Sequence, residues 1–174
     1  MFFSLLNLAE HEEIQSICRA EVLASVSPEF DDCQFLKNAI RETLRLKPTA
    51  PLRGRTSVGT TTLTDDDGNE IPISTGLSIV FSIYNIHRNP KYFPDPERFD
   101  PNRFSGGEAA NYFAFGAGPR KCPGEMLALM EIQIVLGKLL RNFKFTTCPE
   151  KGPIETKMAL TLVASHGNLK VEKL

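Results

Sequence analysis

The sequence predicts a mainly α fold with small β-sheets, an α+β architecture. Three observations carry that reading. Apolar residues recur at three- and four-residue spacing through residues 1–46 and again after Glu125. Between those stretches lie short runs rich in Thr and Val, punctuated by a Gly/Asn turn. The residues from Asn142 onward alternate or carry β-branched side chains, as terminal strands do.

The elements follow in order. Residues 1–25 read as helix with a break near His11, because Phe2, Leu5, Leu6 and Leu8, then Ile14, Ile17 and Val22, share a face. No capping residue precedes Phe2, and the apolar face is present from the first residue, the pattern expected of a cut through a longer element. Ser27-Pro28-Glu29 is a helix-start signal, so a helix is expected over residues 31–46, with Phe35, Leu36, Ile40 and Leu44 on one face and Pro48 ending it. Glu42 and Arg45 lie three apart on that helix. Spacing alone makes them a surface ion pair worth well under ~1 kcal/mol.

Residues 49–55 are rich in Pro and Arg and read as extended. A strand is expected over 56–63 and a second over 70–74, joined by the turn Asp65-Asp66-Asp67-Gly68-Asn69. The acids of that turn lack the closing Glu of a twelve-residue calcium loop, so they read as a solvated hairpin tip. Residues 78–87 read as strand, then short helix. His87 has no partner at metal-ligand spacing and is expected to be packed or hydrogen-bonded. Residues 89–104, NPKYFPDPERFDPNRF, form a rigid irregular segment stiffened by proline and aromatic residues. A small-residue loop, 105–110, follows. The helix after it, read over 125–144, carries Met126, Leu127, Met130, Ile134, Leu136, Leu139 and Leu140, a coverage wide enough to predict burial on more than one side. Strands are expected over 142–147, 157–164 and 169–173.

At 174 residues the chain is long enough for one domain with a real core. A net charge of −1 implies no nucleic-acid or anionic-membrane partner. The four cysteines, Cys18, Cys33, Cys122 and Cys148, form no C-x-x-C pair, which argues against a zinc site or a disulfide scaffold and for a reducing compartment. No stretch reaches transmembrane length, and residues 1–9 lack the basic flank and cleavage site of a signal peptide.

The chemistry concentrates in NYFAFGAGPRKCPG, residues 111–124. Cys122 sits just before a helix start, with Pro123 read as the first helical residue. The helix dipole and two cationic neighbours, Arg120 and Lys121, favour a thiolate. Gly116 and Gly118 let the backbone pass close to something bulky. A thiolate on a tight loop against a flat partner is what an axial haem ligand requires. The alternative is a buried small hydrophobe.

Phe115, Gly118, Arg120, Cys122 and Gly124 match F-x-x-G-x-R-x-C-x-G. This resembles the haem-binding signature of the cytochrome P-450 family, the haem-thiolate monooxygenases. KNAIRETLRLKP resembles that family's E-x-x-R helix, and residues 89–104 resemble its meander. The resemblance covers nearly the whole chain and is closest to eukaryotic microsomal members.

The resemblance implies that residues 1–174 are the C-terminal haem-binding portion of a single cytochrome P-450 domain, with the distal half of the fold absent. It implies haem b as cofactor and Cys122 as axial iron ligand. Phe115 would pack by the cysteine loop, and Arg120 and Arg55 would pair with propionates, Arg53 being the nearby alternative to Arg55. Glu42 and Arg45 would be buried and joined by a third arginine, Arg103 in preference to Arg98. A complete chain would insert oxygen from O2 into a C–H bond of a lipophilic substrate, with electrons from an NADPH-dependent reductase. No catalytic residue beyond the haem ligand falls in this segment, so the chain alone is expected to be inactive. A missing N-terminal part would attach it to the cytosolic face of the endoplasmic reticulum membrane, with a mitochondrial location as the alternative. Two other readings compete: a truncated, non-catalytic haem-binding or interaction protein, and a non-haem fold using Cys122 for redox chemistry, the latter weakened by the lack of a resolving cysteine nearby.

Overall fold

Two helices meet at His11. α1 (Phe2–Glu10) and α2 (Glu12–Ala24) are separated by this residue alone, whose φ of −125° and ψ of 78° leave the helical region. The computed structural model describes residues 1–107, 109–152, 156–158, 161–164 and 168–174.

α3 (Gln34–Leu46) begins three residues later than the expected Asp31. The segment ahead of it folds into turns instead, with Phe30 at φ +58°. Glu21 of α2 then caps α3 from a distance. Its two carboxylate oxygens accept the Phe35 and Leu36 N–H groups, each at 2.9 Å. A cap supplied from another helix leaves no local signature, so the Ser-Pro-Glu signal placed the start too early.

β1 (Leu52–Thr56), β2 (Thr61–Thr64), β3 (Glu70–Ile73) and β4 (Ser78–Ser82) form two antiparallel pairs, β1 with β4 and β2 with β3. The single strand expected over 56–63 is therefore two. Ser57 still bonds Gly76 and Leu77, and the chain then turns into a separate hairpin. At that hairpin's tip Asp65 accepts the Asp67 and Asn69 N–H groups, and Gly68 takes φ +84°. α4 (Ile83–Ile86) follows β4 directly. The proline-rich segment ends in a 3-10 turn, Pro101–Phe104, capped by the Asp100 carboxylate on Asn102 N–H at 3.0 Å.

α5 (Glu125–Asn142) leads into β5 (Phe143–Thr147). β6 (Thr156–Met158) and β7 (Leu162–Ala164) pair with each other, and β8 (Leu169–Lys173) returns to pair antiparallel with β5. The strand expected over 157–164 is thus a hairpin, with Met158 opposite Leu162. The family resemblance implies that loops between these strands, within 157–167, help line a substrate pocket; residues 159–160 and 165–167 of that stretch lie outside the described residues, as does Glu108 of the small-residue loop.

The core lies where α1, α2, α3, α5 and β5 converge. Leu8, Val22, Phe30, Leu36, Ile40, Leu136, Leu140 and Phe145 are buried together there. Each such side chain contributes about 1.5–3 kcal/mol by leaving water. Gln15 crosses this core as a polar tie. Its amide donates to Leu8 O (2.9 Å) and Phe145 O (2.8 Å), and its carbonyl accepts Phe145 N–H (2.9 Å). Gly137 lets the Phe30 ring approach α5, since a Cβ there would lie 2.4 Å from the ring.

α5 is buried on one side only, against the expectation. Leu136 and Leu140 are fully buried, whereas Met126, Leu127 and Met130 are 84%, 57% and 46% exposed. Its first turns run past the surface that α2 and α3 cover, and Met126 and Met130 rim a groove of about 450 Å³ against Lys37, Ile40 and Arg41. Among the described residues, no helix is long and apolar enough to cross a membrane.

Candidate functional site

The last turns of α3 carry a buried ion network. Glu42 and Arg45 are both 0% exposed. Arg45 Nε and Nη2 donate to the two oxygens of Glu42 at 2.7 and 2.9 Å, a bidentate pair. Glu42 Oε1 also accepts Asp100 N–H at 2.9 Å and Arg103 Nε–H at 3.2 Å. Arg45 also donates through Nη1 to His87 O (2.7 Å) and through Nη2 to Arg98 O (3.2 Å). The structure therefore brings Glu42, Arg45 and Arg103 together. Arg98 contributes its carbonyl, while its side chain is exposed. A buried pair is tolerable when every donor and acceptor is met, and here Glu42 receives four hydrogen bonds.

His87, at the end of α4, is fully buried between this network and the cysteine segment. Its Nδ1 lies 3.0 Å from Arg45 O, and Phe113 N–H donates to its Nε2 at 2.8 Å. The ring stacks on Tyr112 at 5.3 Å and 8°. Burial pushes its pKa down to about 4; the Arg45 hydrogen bond opposes that shift, and the charges of Arg45 and Arg88 add to it.

The loop from Phe113 to Gly124 is shaped by main-chain bonds. Gly116 N–H donates to Phe113 O, and Cys122 N–H donates to Phe115 O, both at 2.9 Å. Gly116 and Gly118 take φ of +80° and +68°, a conformation that side chains make costly. Phe115 packs against the buried cluster of Phe104, Tyr112 and Ala114. Arg120 closes a 3-10 turn, Gly118–Arg120, and is exposed. Cys122 itself is half-buried, with Gly124 beside its Sγ: a Cβ on Gly124 would lie 4.0 Å away.

Two expectations about this loop need correction. Pro123 is not the first helical residue. A turn closed by Glu125 N–H on Cys122 O (3.4 Å) intervenes, and Gly124 is the N-cap. The charge of Lys121 is not directed at the cysteine alone, because its Nζ sits 2.7 Å from Glu125 Oε2. Cys18 and Cys33 are fully buried, whereas Cys122 is half-buried. Burial pushes their thiols up to about 12 and about 11, which keeps them protonated and inert.

Strand alternation puts Arg53 and Arg55 on the same face of β1. Both line a cavity of about 270 Å³ with Phe81, Ile83, Ile86, Phe113, Gly116 and Ala117. Cys122 is not part of its wall; the cysteine's loop enters it through Gly116 and Ala117. Arg53 packs closest to the loop. Its guanidinium lies within 4 Å of the place a Gly116 Cβ would take, its Nη2 donates to Ala114 O at 3.5 Å, and its buried Nε has no hydrogen-bond partner among the described residues. Arg55 is exposed and donates to Gly54 O. The site's apolar wall (Phe81, Ile83, Ile86, Phe113) was not legible from spacing, nor was the part played by Asp100 N–H.

Comparison with known proteins agrees with this geometry. The chain is 35% identical over 170 residues to probable cytochrome P450 4s3 of Drosophila melanogaster, covering 95% of this chain and 33% of that protein. It is 37% identical over 185 residues to human cytochrome P450 4F12, covering 98% and 34%. It is 31% identical over 180 residues to cytochrome P450 4A24 of Sus scrofa, covering 98% and 35%. The chain thus spans about a third of the length of the curated relatives it matches. A family model described as Cytochrome P450 matches residues 1–171, and the chain belongs to that family.

Proposed function

We infer that residues 1–174 are the C-terminal haem-binding portion of a haem-thiolate monooxygenase. Members of the family bind haem iron. One observation carries the reading: Phe115, Gly118, Arg120, Cys122 and Gly124 fold into a loop that leaves Cys122 partly exposed and closes on itself through Cys122 N–H and Phe115 O.

The residues present fit that group. The cavity beside the loop is walled by apolar side chains and two arginines, one with an orphaned buried Nε. A buried unpaired donor is costly, and a carboxylate is the partner a guanidinium suits best. Cys122 would hold the iron, and Arg53, Arg55 and Arg120 would meet the carboxylates. When bound, thiolate-ligated haem supplies activation of O2, the thiolate's electron donation favouring O–O cleavage.

The protein's own part is positioning. Glu42, Arg45 and Arg103 tie α3 to the segment over 95–103, and His87, bonded to Arg45 O, links that framework to the cysteine loop at Phe113 N–H. In the whole protein the activity would be insertion of oxygen into a C–H bond of a lipophilic substrate, with a reductase as electron donor. The resemblance to eukaryotic microsomal members supports a location of the whole protein at the endoplasmic reticulum membrane. The exposed Met126, Leu127 and Met130 favour a segment of a larger fold over a free-standing interaction protein, since an apolar helix face of this kind is normally covered.

The test is the reduced, carbon-monoxide difference spectrum of the haem-loaded protein, with Cys122→Ala beside it. A strongly red-shifted Soret band that the substitution abolishes is expected. A histidine-like band, unchanged in Cys122→Ala, would overturn the assignment.

A further inference from the structure

We propose that His87 is a positioning residue for the cysteine loop, its imidazole joining the main chain of α3 to the main chain of Phe113 and so fixing where Cys122 sits. The inference rests on the reading of Cys122 as the iron ligand, but its geometry stands by itself.

A backbone N–H can only donate. Phe113 N–H points at Nε2 over 2.8 Å, so Nε2 must be the bare acceptor nitrogen. The proton therefore sits on Nδ1, which donates to Arg45 O at 3.0 Å. Only the neutral ring in this one tautomer satisfies both partners. The imidazolium would set two N–H groups against each other at Phe113. The charged groups around the ring also favour the neutral form: Arg45 on α3 and Arg88 beside α4 are both cationic, and Tyr112 and Phe93 cover the ring's remaining sides.

The path continues past Phe113. Its carbonyl accepts Gly116 N–H, and two residues on Phe115 O accepts Cys122 N–H. Thus an unbroken series of short steps runs from the buried Glu42–Arg45 pair to the cysteine's own amide. Phe113 and Gly116 also line the arginine cavity, so the same tie fixes that wall. A histidine that merely filled space would need neither hydrogen bond, and a buried aromatic ring would serve as well.

The test uses the whole chain and two matched variants. His87→Asn places an amide N–H where Nδ1 stands and keeps the Arg45 bond, but cannot reach Phe113. His87→Gln carries a carbonyl out to the Nε2 position and restores an acceptor for Phe113 N–H. In the haem-free chain, amide exchange at Phe113, Gly116 and Cys122 is expected to rise about tenfold or more in His87→Asn, with α3 amides unchanged, and to fall back towards the parent in His87→Gln. Equal effects of the two variants, or a rise spread uniformly through α3 and the loop, would overturn the proposal. Should the variants not fold, nitrogen shifts of the His87 ring in the unaltered chain decide: a bare Nε2 at neutral pH is required, and an Nε2–H tautomer refutes it. With haem added, the same order is expected in the fraction showing the thiolate band. If Cys122→Ala leaves that band in place, the ligand reading fails, while the exchange result still judges the role of His87.

Discussion

Arg45 and His87 each hydrogen-bond the other's main-chain carbonyl. Arg45 Nη1 donates to His87 O at 2.7 Å, and His87 Nδ1 donates to Arg45 O at 3.0 Å. Forty-two residues apart, they lock α3 to the end of α4 with two reciprocal bonds from buried groups. This lock puts a titratable ring at the junction between the ion network and the cysteine loop, and the stability of the fold inherits its pH dependence.

The sign follows from the direction of the shift. His87 is held neutral in the folded chain, with a pKa of about 4 against 6.5 unfolded. Between those values the unfolded chain takes up the proton more readily, so folding stability falls as pH drops from about 6.5 towards 4. At pH 5 the loss from this one group is about 2 kcal/mol, and it fades to a few tenths of a kcal/mol by about pH 7. Urea titrations at pH 7 and pH 5 measure it. In His87→Gln the difference between the two should shrink by that amount.

Glu42 presents the opposite case, a charge whose loss strands its partners. Glu42→Ala leaves Arg45 buried without its carboxylate and frees Asp100 N–H and Arg103 Nε–H. The expected cost is about 3–5 kcal/mol. Replacing Glu42 and Arg45 together by apolar residues of similar volume should cost less than Glu42→Ala alone, because the fully buried unpaired charge is gone and only Arg103, partly exposed and still bonded to Asp95 O, loses its carboxylate. Denaturant midpoints of the single and double variants check this order.

How far the residues announced this arrangement differs by the range of the interaction. The break at His11, the hairpin tip at Asp65–Asn69 and the strand-then-helix of residues 78–86 depend on neighbours in the chain, and pattern was enough for them. Glu42 and Arg45 look like a surface pair by spacing; only resemblance predicted their burial and Arg103 as third partner, and the fold adds that Arg98 lends a carbonyl. The cap from Glu21 on α3, the split of residues 56–63 between two sheets, and the exposed start of α5 depend on partners far along the chain. No local periodicity encodes them. His87 was legible as a hydrogen-bonded histidine, but its two partners, Arg45 O and Phe113 N–H, are main-chain groups that no sequence pattern marks.

Close approach in the core yields a third prediction. A Cβ at Gly137 would lie 2.4 Å from Cδ2 of Phe30, whose ring is also covered by the Arg141 guanidinium at 4.8 Å. The ring has little room to retreat. Gly137→Ala should therefore destabilise by about 1–3 kcal/mol through overpacking, in spite of the better helix propensity of Ala. In a Phe30→Leu background the added methyl meets a smaller neighbour, and its cost should fall. Thermal or urea unfolding of the four combinations measures the coupling.

Arg53 and Arg55 share a strand face and a cavity but differ in burial, which separates their effects with and without haem. Among the described residues Arg53 Nε is buried with no partner, so in the haem-free chain this donor is a liability. Arg53→Met should raise haem-free stability by about 1 kcal/mol, the order of one unmet hydrogen bond. Arg55 is exposed, and Arg55→Met should change that stability by no more than about 0.5 kcal/mol. Haem retention should respond differently. Either substitution removes a cation from the cavity wall, so both should speed haem loss to an acceptor protein, and the double variant should lose it fastest. If Arg53→Met stabilised the haem-free chain without speeding haem loss, Arg53 would be a strained bystander, and the carboxylates would belong to Arg55 and Arg120 alone.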